Sequence, residues 1–299
     1  QLGGAMQINR DASVAAVQSV ADAMGIDLME AAEGIVRIAN EAMFGALRLV
    51  SVEQGYDPRD FALVGFGGAG PLHANALGVL TDAWPVIVPP GPGVLCAYGD
   101  ATTQVQDEAA RTYLTMAGDI SDADLLADLA ELTARAGESL LADGIPTTEH
   151  EVTYQADLRY AGQAFQITVD FTESDLKERG IALLTEQFDA EHEQLFTFKL
   201  GDGHEILMIR AVVKARGKAI AERVVGSAGN SLEDCKLHDS RFYSQGEWHD
   251  APIFNRDLLH PGLVVPGPSI VSEMDSTTVV LPGYAATVDA VGNLLINPV

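Results

Sequence analysis

Four glycines fall within six residues in Gly65-Phe66-Gly67-Gly68-Ala69-Gly70. The apolar run Phe61-Ala62-Leu63-Val64 precedes them, and Pro71-Leu72-His73 follows. A glycine turn between a strand and a helix lets a ligand approach the backbone closely, because no Cβ stands in the way. Read literally, Gly65, Gly67 and Gly70 match the spacing of a dinucleotide fingerprint. That chemistry also needs an acid at the end of the next strand, about 20 residues on, to hold a ribose hydroxyl. Here the next strand ends in Pro89-Pro90-Gly91, and Asp82 precedes it. A P-loop needs Lys and then Ser or Thr directly after the last glycine, where this chain has Pro71 and Leu72.

Two readings of the turn remain open. In one, the glycines only allow a strand and a helix to pack closely. In the other, they face a nucleotide, as a late strand–turn–helix does in actin-like and sugar-kinase-like ATPases. The order of elements suits the second reading. Asp27 is a helix cap, and Ala31, Ile35, Ile38, Ala42, Ala46 and Leu49 recur every three or four residues. That predicts a long helix over 27–54, then a strand over 61–66, the turn, and a helix over 71–80. The run Val86-Ile87-Val88 is a second strand, predicted parallel to the first. Arg37, Asn40 and Glu41 share about one turn of the long helix, which in such ATPases borders the nucleotide. His73 sits in the first turn of the later helix, where the helix dipole favours a neutral ring.

Other polar residues are weaker candidates. Cys96 and Cys235 form no CxxC, and His238 alone beside Cys235 is too little for zinc. Asp100, Asp107 and Glu108 lack a His or further acid at ligand spacing. His192 lies in Glu-His-Glu, but Phe196 stands where a zinc protease needs its second His. Arg159, Tyr160 and Gln163 belong to a hairpin; ordering its turn is expected of them ahead of meeting a partner subunit. Ser272, Glu273, Asp275 and Thr277 cluster without a nucleophile elbow, so turn and strand-edge duty is expected of them. No residue is assigned a catalytic role.

The 299 residues carry 18 Lys plus Arg against 43 Asp plus Glu, a formal charge of −25. Such a field repels phosphate backbones and anionic lipid, so neither nucleic acid nor membrane is an expected partner. No apolar run reaches the roughly 18–20 residues of a membrane-spanning helix. The start, Gln1-Leu2-Gly3, has no secretory pattern and reads as the interior of a longer protein or a trimmed chain. A cytoplasmic setting is expected. Composition shifts suggest three parts: 1–115 with the glycine turn, 116–238 as helix–strand–strand–helix–strand, and a β-rich 239–299. In the second part, one helix is expected across residues 174–196 with Ser174 as its cap. Residues 91–104 read as a Gly-rich connection. The last part suggests a small barrel or sandwich.

Longer strings carry a resemblance. The segment from Arg37 through the glycine turn to Gly78, "VIVPPGPGVLCAYGDATTQVQDEAART", "DLRYAGQAFQITV", "EHEQLFTF" and "HPGLVVPGPSIVSEMDSTTVVLPG" resemble the hydantoinase A / oxoprolinase family, in that family's order. The resemblance spans nearly the whole chain. It implies an α/β fold: the C-terminal part of an actin-like (ribonuclease H-like) ATPase, then a split α/β sandwich and a small β-rich region. It implies ATP with Mg, and hydrolysis of cyclic amides (hydantoin, N-methylhydantoin or oxoproline type) through phosphorylation of the amide oxygen. It also implies a B-type partner subunit in a hetero-oligomer. The family's phosphate motifs, which would hold Mg and the outer phosphates, do not occur in these residues. The chain by itself is therefore expected to be inactive. Gly67, Gly68, Ala69, Gly70, His73, Asn40, Glu41 and Arg37 are the expected nucleotide contacts. An ATP-dependent acetone or acetophenone carboxylase subunit is the alternative enzyme. A non-catalytic module that docks a B-type subunit is the alternative of another kind.

Overall fold

The computed structural model describes residues 7–201, 203–217 and 229–299. By contact the chain forms two units, one from 1–101 with 221–299, the other from 102–220.

Helix α1 (Arg10–Met24) starts at Asn9, whose side chain accepts from the Ala12 N–H, and ends at Gly25 in the left-handed region, φ 68°. Asp27 caps α2 (Leu28–Val50) by accepting from the Met29 N–H. This helix stops at Val50 rather than near Gln54, because residues 52–54 tighten into a 3-10 turn closed by Gly55 at φ 80°. Ala31 is the one fully buried residue of α2, whereas Ile38 and Val50 are 69% and 71% exposed.

Strand β1 (Leu63–Val64) and strand β2 (Val86–Val88) pair in parallel, Leu63 opposite Val86, and α3 (Gly70–Thr81) crosses between them. This is the strand–turn–helix–strand unit expected from the sequence. The stretch expected as a connection contains α4 (Leu95–Thr102). Its helix begins once Pro92 and Gly93 have made their turn.

The second unit is a four-stranded antiparallel sheet backed by helices. In chain order it holds β3 (Gln106–Met116), α5 (Asp122–Ala142), β4 (His150–Tyr160), β5 (Ile167–Phe171), α6 (Glu173–Arg179), α7 (Ala182–Phe196) and β6 (His204–Ala215). The sheet order is β3-β6-β4-β5. Leu125, Leu129, Leu132, Ala136 and Leu140 recur along one face of α5 and are buried in a core with Leu158, Phe188 and Ile209. Strand β3 escapes the sequence reading because it is an edge strand with only Ala109 buried and Asp107, Glu108 and Arg111 along it. The single helix expected over 174–196 is two helices. Gly180, at φ 64° and ψ −166°, breaks it, and Thr172 rather than Ser174 caps the first through reciprocal bonds with Asp175.

The rest of the first unit is β: β7 (Lys236–His238), β8 (Arg241–Ser244), β9 (Glu247–Asp250), β10 (Ile253–Asn255), β11 (Val264–Pro266), β12 (Ser269–Ser272), β13 (Thr277–Val280), β14 (Tyr284–Val288) and β15 (Leu294–Pro298). These strands do not close on themselves. β15 pairs antiparallel with β2, Leu295 opposite Ile87, which gives one sheet of order β1-β2-β15-β14-β11. A second sheet runs β13-β12-β10-β7, and β8–β9 is a hairpin. Val86, Val88, Phe254, Val271, Val280, Leu294 and Ile296, drawn from both larger sheets, share one apolar core. The three-residue β2 has both Val86 and Val88 fully buried. It obtains that cover from β15 and its neighbours, so the segment expected as 239–299 folds together with the first segment up to residue 101, while 102–115 join the second unit.

Candidate functional site

The four glycines of the turn do different work. A Cβ on Gly65 would stand 2.6 Å from the Ala74 Cβ, so this glycine serves close packing of β1 on α3. Gly67 adopts φ 85°, a conformation that other residues strain to reach. Gly68 and Gly70 have neither reason. Their φ values lie outside the left-handed region, and a Cβ would meet its nearest atoms at 3.6 and 3.7 Å, ordinary contact distances. Gly68 and Ala69 are exposed. The N–H groups of Gly68, Ala69 and Gly70 make no hydrogen bond among the described residues. No side chain caps α3, so these donors stand open at the helix N-terminus, beside the carboxyl ends of two parallel strands. Ligands favour that edge of an α/β sheet, and oriented N–H groups with a helix dipole favour negative charge.

The opposite side of the turn is held. The Gly67 N–H donates to the Pro92 carbonyl at 2.7 Å. The Ser276 hydroxyl lies 3.2 Å from the Gly68 carbonyl and 3.5 Å from that of Gly67. Glu273 accepts from the Gly91 N–H at 3.1 Å through Oε2. Burial pushes the Glu273 carboxyl up to about 7, against the opposing pull of Arg256 and the Gly91 N–H. Arg256, 2% exposed, donates to the carbonyls of Val88 and Gly292, and burial lowers its pKa to about 10.

Arg37, Asn40 and Glu41 lie together on α2, as expected. They line a cavity of about 490 Å³ with Val36, Val79 and Tyr243. The tip of the β8–β9 hairpin closes one side, where Glu33 accepts from the N–H groups of Gln245 and Gly246. His73 joins this group: its Nδ1 lies 2.8 Å from Asn40 Oδ1. An amide oxygen can only accept, so Nδ1 carries the proton. The glycines do not line this cavity. Gly65 and Gly70 belong to a second one of about 330 Å³ with Met43, Leu47 and Phe66, farther along α2. The Asn40–His73 bond is the link between the polar group of α2 and the helix that the glycine turn begins.

The remaining candidates divide. Cys96 is exposed and Cys235 buried, both free. Asp107 and Glu108 lie on β3; the Ser139 hydroxyl and the Glu108 N–H hold Asp107 below the usual carboxylate range. His192 is a core residue among Tyr160, Phe188, Phe196 and Phe198. Arg159 pairs with Glu205. The Tyr160 hydroxyl donates to Asp189, which His204 also meets at 2.7 Å. Residues 273–276 form the β12–β13 turn, with Ser272 opposite Thr277. Their contact with the glycine turn is absent from the sequence reading, since no pattern ties position 276 to position 68. Among the described residues, no three His, Cys, Asp or Glu side chains gather as a metal site, and no helix is long and apolar enough to cross a membrane.

Fold and turn together define an α/β chain of the class expected, the C-terminal part of an actin-like ATPase fold. Two family models match, hydantoinase/oxoprolinase over residues 2–109 and the hydantoinase/oxoprolinase C-terminal domain over residues 120–295. The chain belongs to the hydantoinase/oxoprolinase family. It is 29% identical to caprolactamase subunit alpha of Pseudomonas jessenii, over 99% of this chain and 44% of that protein. The crystal structure of the ATP-dependent caprolactamase from that organism superposes with a TM-score of 0.86 at 28% identity, over 99% of this chain and 44% of the other. Acetone carboxylase beta subunit of Xanthobacter autotrophicus is 28% identical over 96% of this chain and 42% of that protein. For 5-oxoprolinase 1 of Arabidopsis thaliana the values are 29%, 92% and 22%. The chain thus spans less than half the length of each of these relatives.

Proposed function

We propose that this chain forms the nucleotide-facing C-terminal part of an A-type subunit that hydrolyses cyclic amides at the expense of ATP. The observation that carries this reading is the pair Gly68 and Gly70. The fold does not require glycine at either position, yet both belong to the three successive residues whose N–H groups have no partner among the described residues. Glycine loses more backbone entropy on ordering than alanine does, so a use for the open face is the economical account. A nucleotide's ribose or phosphate oxygens match those donors. Asn40, Arg37 and Glu41 on α2, with His73 on α3, offer the polar groups that recognise a base or ribose edge.

The chemistry follows from the substrate. A cyclic amide is a poor electrophile. Its oxygen attacks the γ-phosphorus of ATP, the bond to the β-phosphate oxygen breaks, and ADP leaves. Water then adds to the activated carbon, the ring C–N bond breaks as the departing nitrogen takes a proton, and a second water splits the resulting acyl phosphate into carboxylate and phosphate. In this scheme the residues of this chain hold the adenosine side of ATP. Groups for Mg and for the outer phosphates are expected from the part of the relatives that this chain does not span, so no step is assigned to a metal here. The relatives named as subunits support a hetero-oligomer with a B-type partner, and a cytoplasmic setting suits two free thiols.

Acetone carboxylase among the relatives supports a second reading, activation of a ketone for carboxylation. ADP release with hydantoin, oxoproline or caprolactam, compared with acetone plus bicarbonate, separates the two. A module without chemistry of its own would bind a B-type subunit equally well with and without nucleotide. The direct test is Gly68→Val in the full-length protein. ATP binding is expected to be abolished with the circular dichroism spectrum unchanged; unaltered affinity overturns the assignment.

A further inference from the structure

We infer that the β12–β13 turn, residues 273–276, is the positioning element of the glycine turn, with Ser276 as its principal positioning residue. The inference rests on the nucleotide reading above and concerns how that surface is aimed.

Three loops meet at the carboxyl ends of β1, β2 and β12, and each is fixed to the other two. The Gly67 N–H donates to the Pro92 carbonyl at 2.7 Å, which joins the first to the second. Gly91 donates to Glu273 at 3.1 Å, which joins the second to the third. Gly93 lies so close that a Cβ there would come within 2.7 Å of the Asp275 carbonyl oxygen. Ser276 joins the third to the first through the carbonyls of Gly67 and Gly68. The third loop is itself closed by the Glu273 N–H donating to the Ser276 carbonyl at 3.1 Å.

Peptide planarity turns this clasp into an aiming device. In a trans peptide the C=O and N–H point in opposite directions. A hydroxyl that holds the Gly67 and Gly68 carbonyls therefore directs the N–H groups of Gly68 and Ala69 to the far side. Those are two of the three donors without a partner among the described residues. Glycine has no Cβ to fix its own peptide planes, so an outside constraint is needed at this place. Ser276 is 5% exposed, which keeps water from competing for the two carbonyls. It does not reach the open face, so it acts through the turn and not on the ligand.

The test uses the full-length protein with Ser276→Ala, Ser276→Thr and Gly68→Val. Ser276→Ala is expected to raise KM for ATP and Kd for a fluorescent ADP analogue about three- to tenfold, the worth of one net hydrogen bond. KM for the cyclic amide is expected to stay near wild type, the melting temperature to fall by no more than the loss of one hydrogen bond accounts for, and Ser276→Thr to restore ATP affinity. A merely structural role would shift both KM values together, which counts against positioning. If Gly68→Val abolishes nucleotide binding while Ser276→Ala has no effect, the inference is overturned and the site reading stands. If neither variant changes nucleotide affinity, both fall.

Discussion

His73 and Asn40 are joined across two helices, Nδ1 to Oδ1 at 2.8 Å, and this bond ties the helix that starts at the glycine turn to the polar group of α2. Asn40→Ala breaks it. Both residues are only half-buried, so the cost to folding is expected at about 0.5–1.5 kcal/mol, that of one net hydrogen bond. Nucleotide affinity in the full-length protein is expected to fall by more than that stability change implies. Denaturant melts and titration with an ADP analogue measure the two quantities side by side.

Glu273 should leave a signature in the pH dependence of stability. Burial raises its folded-state value from 4.5 to about 7, with Asp275 and Asp257 adding to the rise and Arg256 and the Gly91 N–H opposing it. The folded state therefore holds this proton more tightly than the unfolded chain between those values. Stability linked to it is complete below pH 4.5 and is lost as pH climbs through 7. Glu273→Gln cannot titrate. Its melting temperature relative to wild type should rise as pH goes from 5 to 8. A constant difference across that range would show that Glu273 does not titrate there.

Arg256 bridges β2 and the turn before β15 through the carbonyls of Val88 and Gly292. Arg256→Ala removes two charge-assisted bonds. A loss of about 3 kcal/mol is expected, given about 1.5–3 kcal/mol per bond to a charged group. Arg256→Met keeps the volume and drops the burial of a charge, so it should cost less than the alanine variant. Urea unfolding of both variants checks the order.

Phe188 is fully buried in the second unit, edge-on to Tyr160 with ring centroids 4.9 Å apart. Phe188→Ala should destabilise the protein by about 3–5 kcal/mol through lost burial and the cavity left behind. Calorimetry on the variant tests this.

What could be read from the chain itself follows from where each signal lies. Asp27 acts locally, and the helix start that it marks falls where expected because a cap bonds to an N–H group two or three residues away. Local signals also located the glycine turn and placed Arg37, Asn40 and Glu41 on one stretch of helix. Strand β3 was hidden because only one of its residues is buried and its charges mimic a loop. The break at Gly180 was hidden because one glycine within a helical pattern is ambiguous until its φ is known. The clasp by Ser276 was hidden for a different reason. It joins residues 208 positions apart, and a side chain that bonds a carbonyl leaves no periodicity to find.

The sheet order β1-β2-β15-β14-β11 has a consequence for how the protein is made. When the glycine turn leaves the ribosome, the strand that will pair with β2 and the serine that will fix the turn are still about 200 residues from synthesis. At about 5–20 residues per second that is an interval of about 10–40 s. For that time Val86 and Val88 have no β15 to cover them, while the whole of residues 102–220 is translated. The apolar cover of β2 is therefore completed only once β15, more than 200 residues later in the chain, has been made.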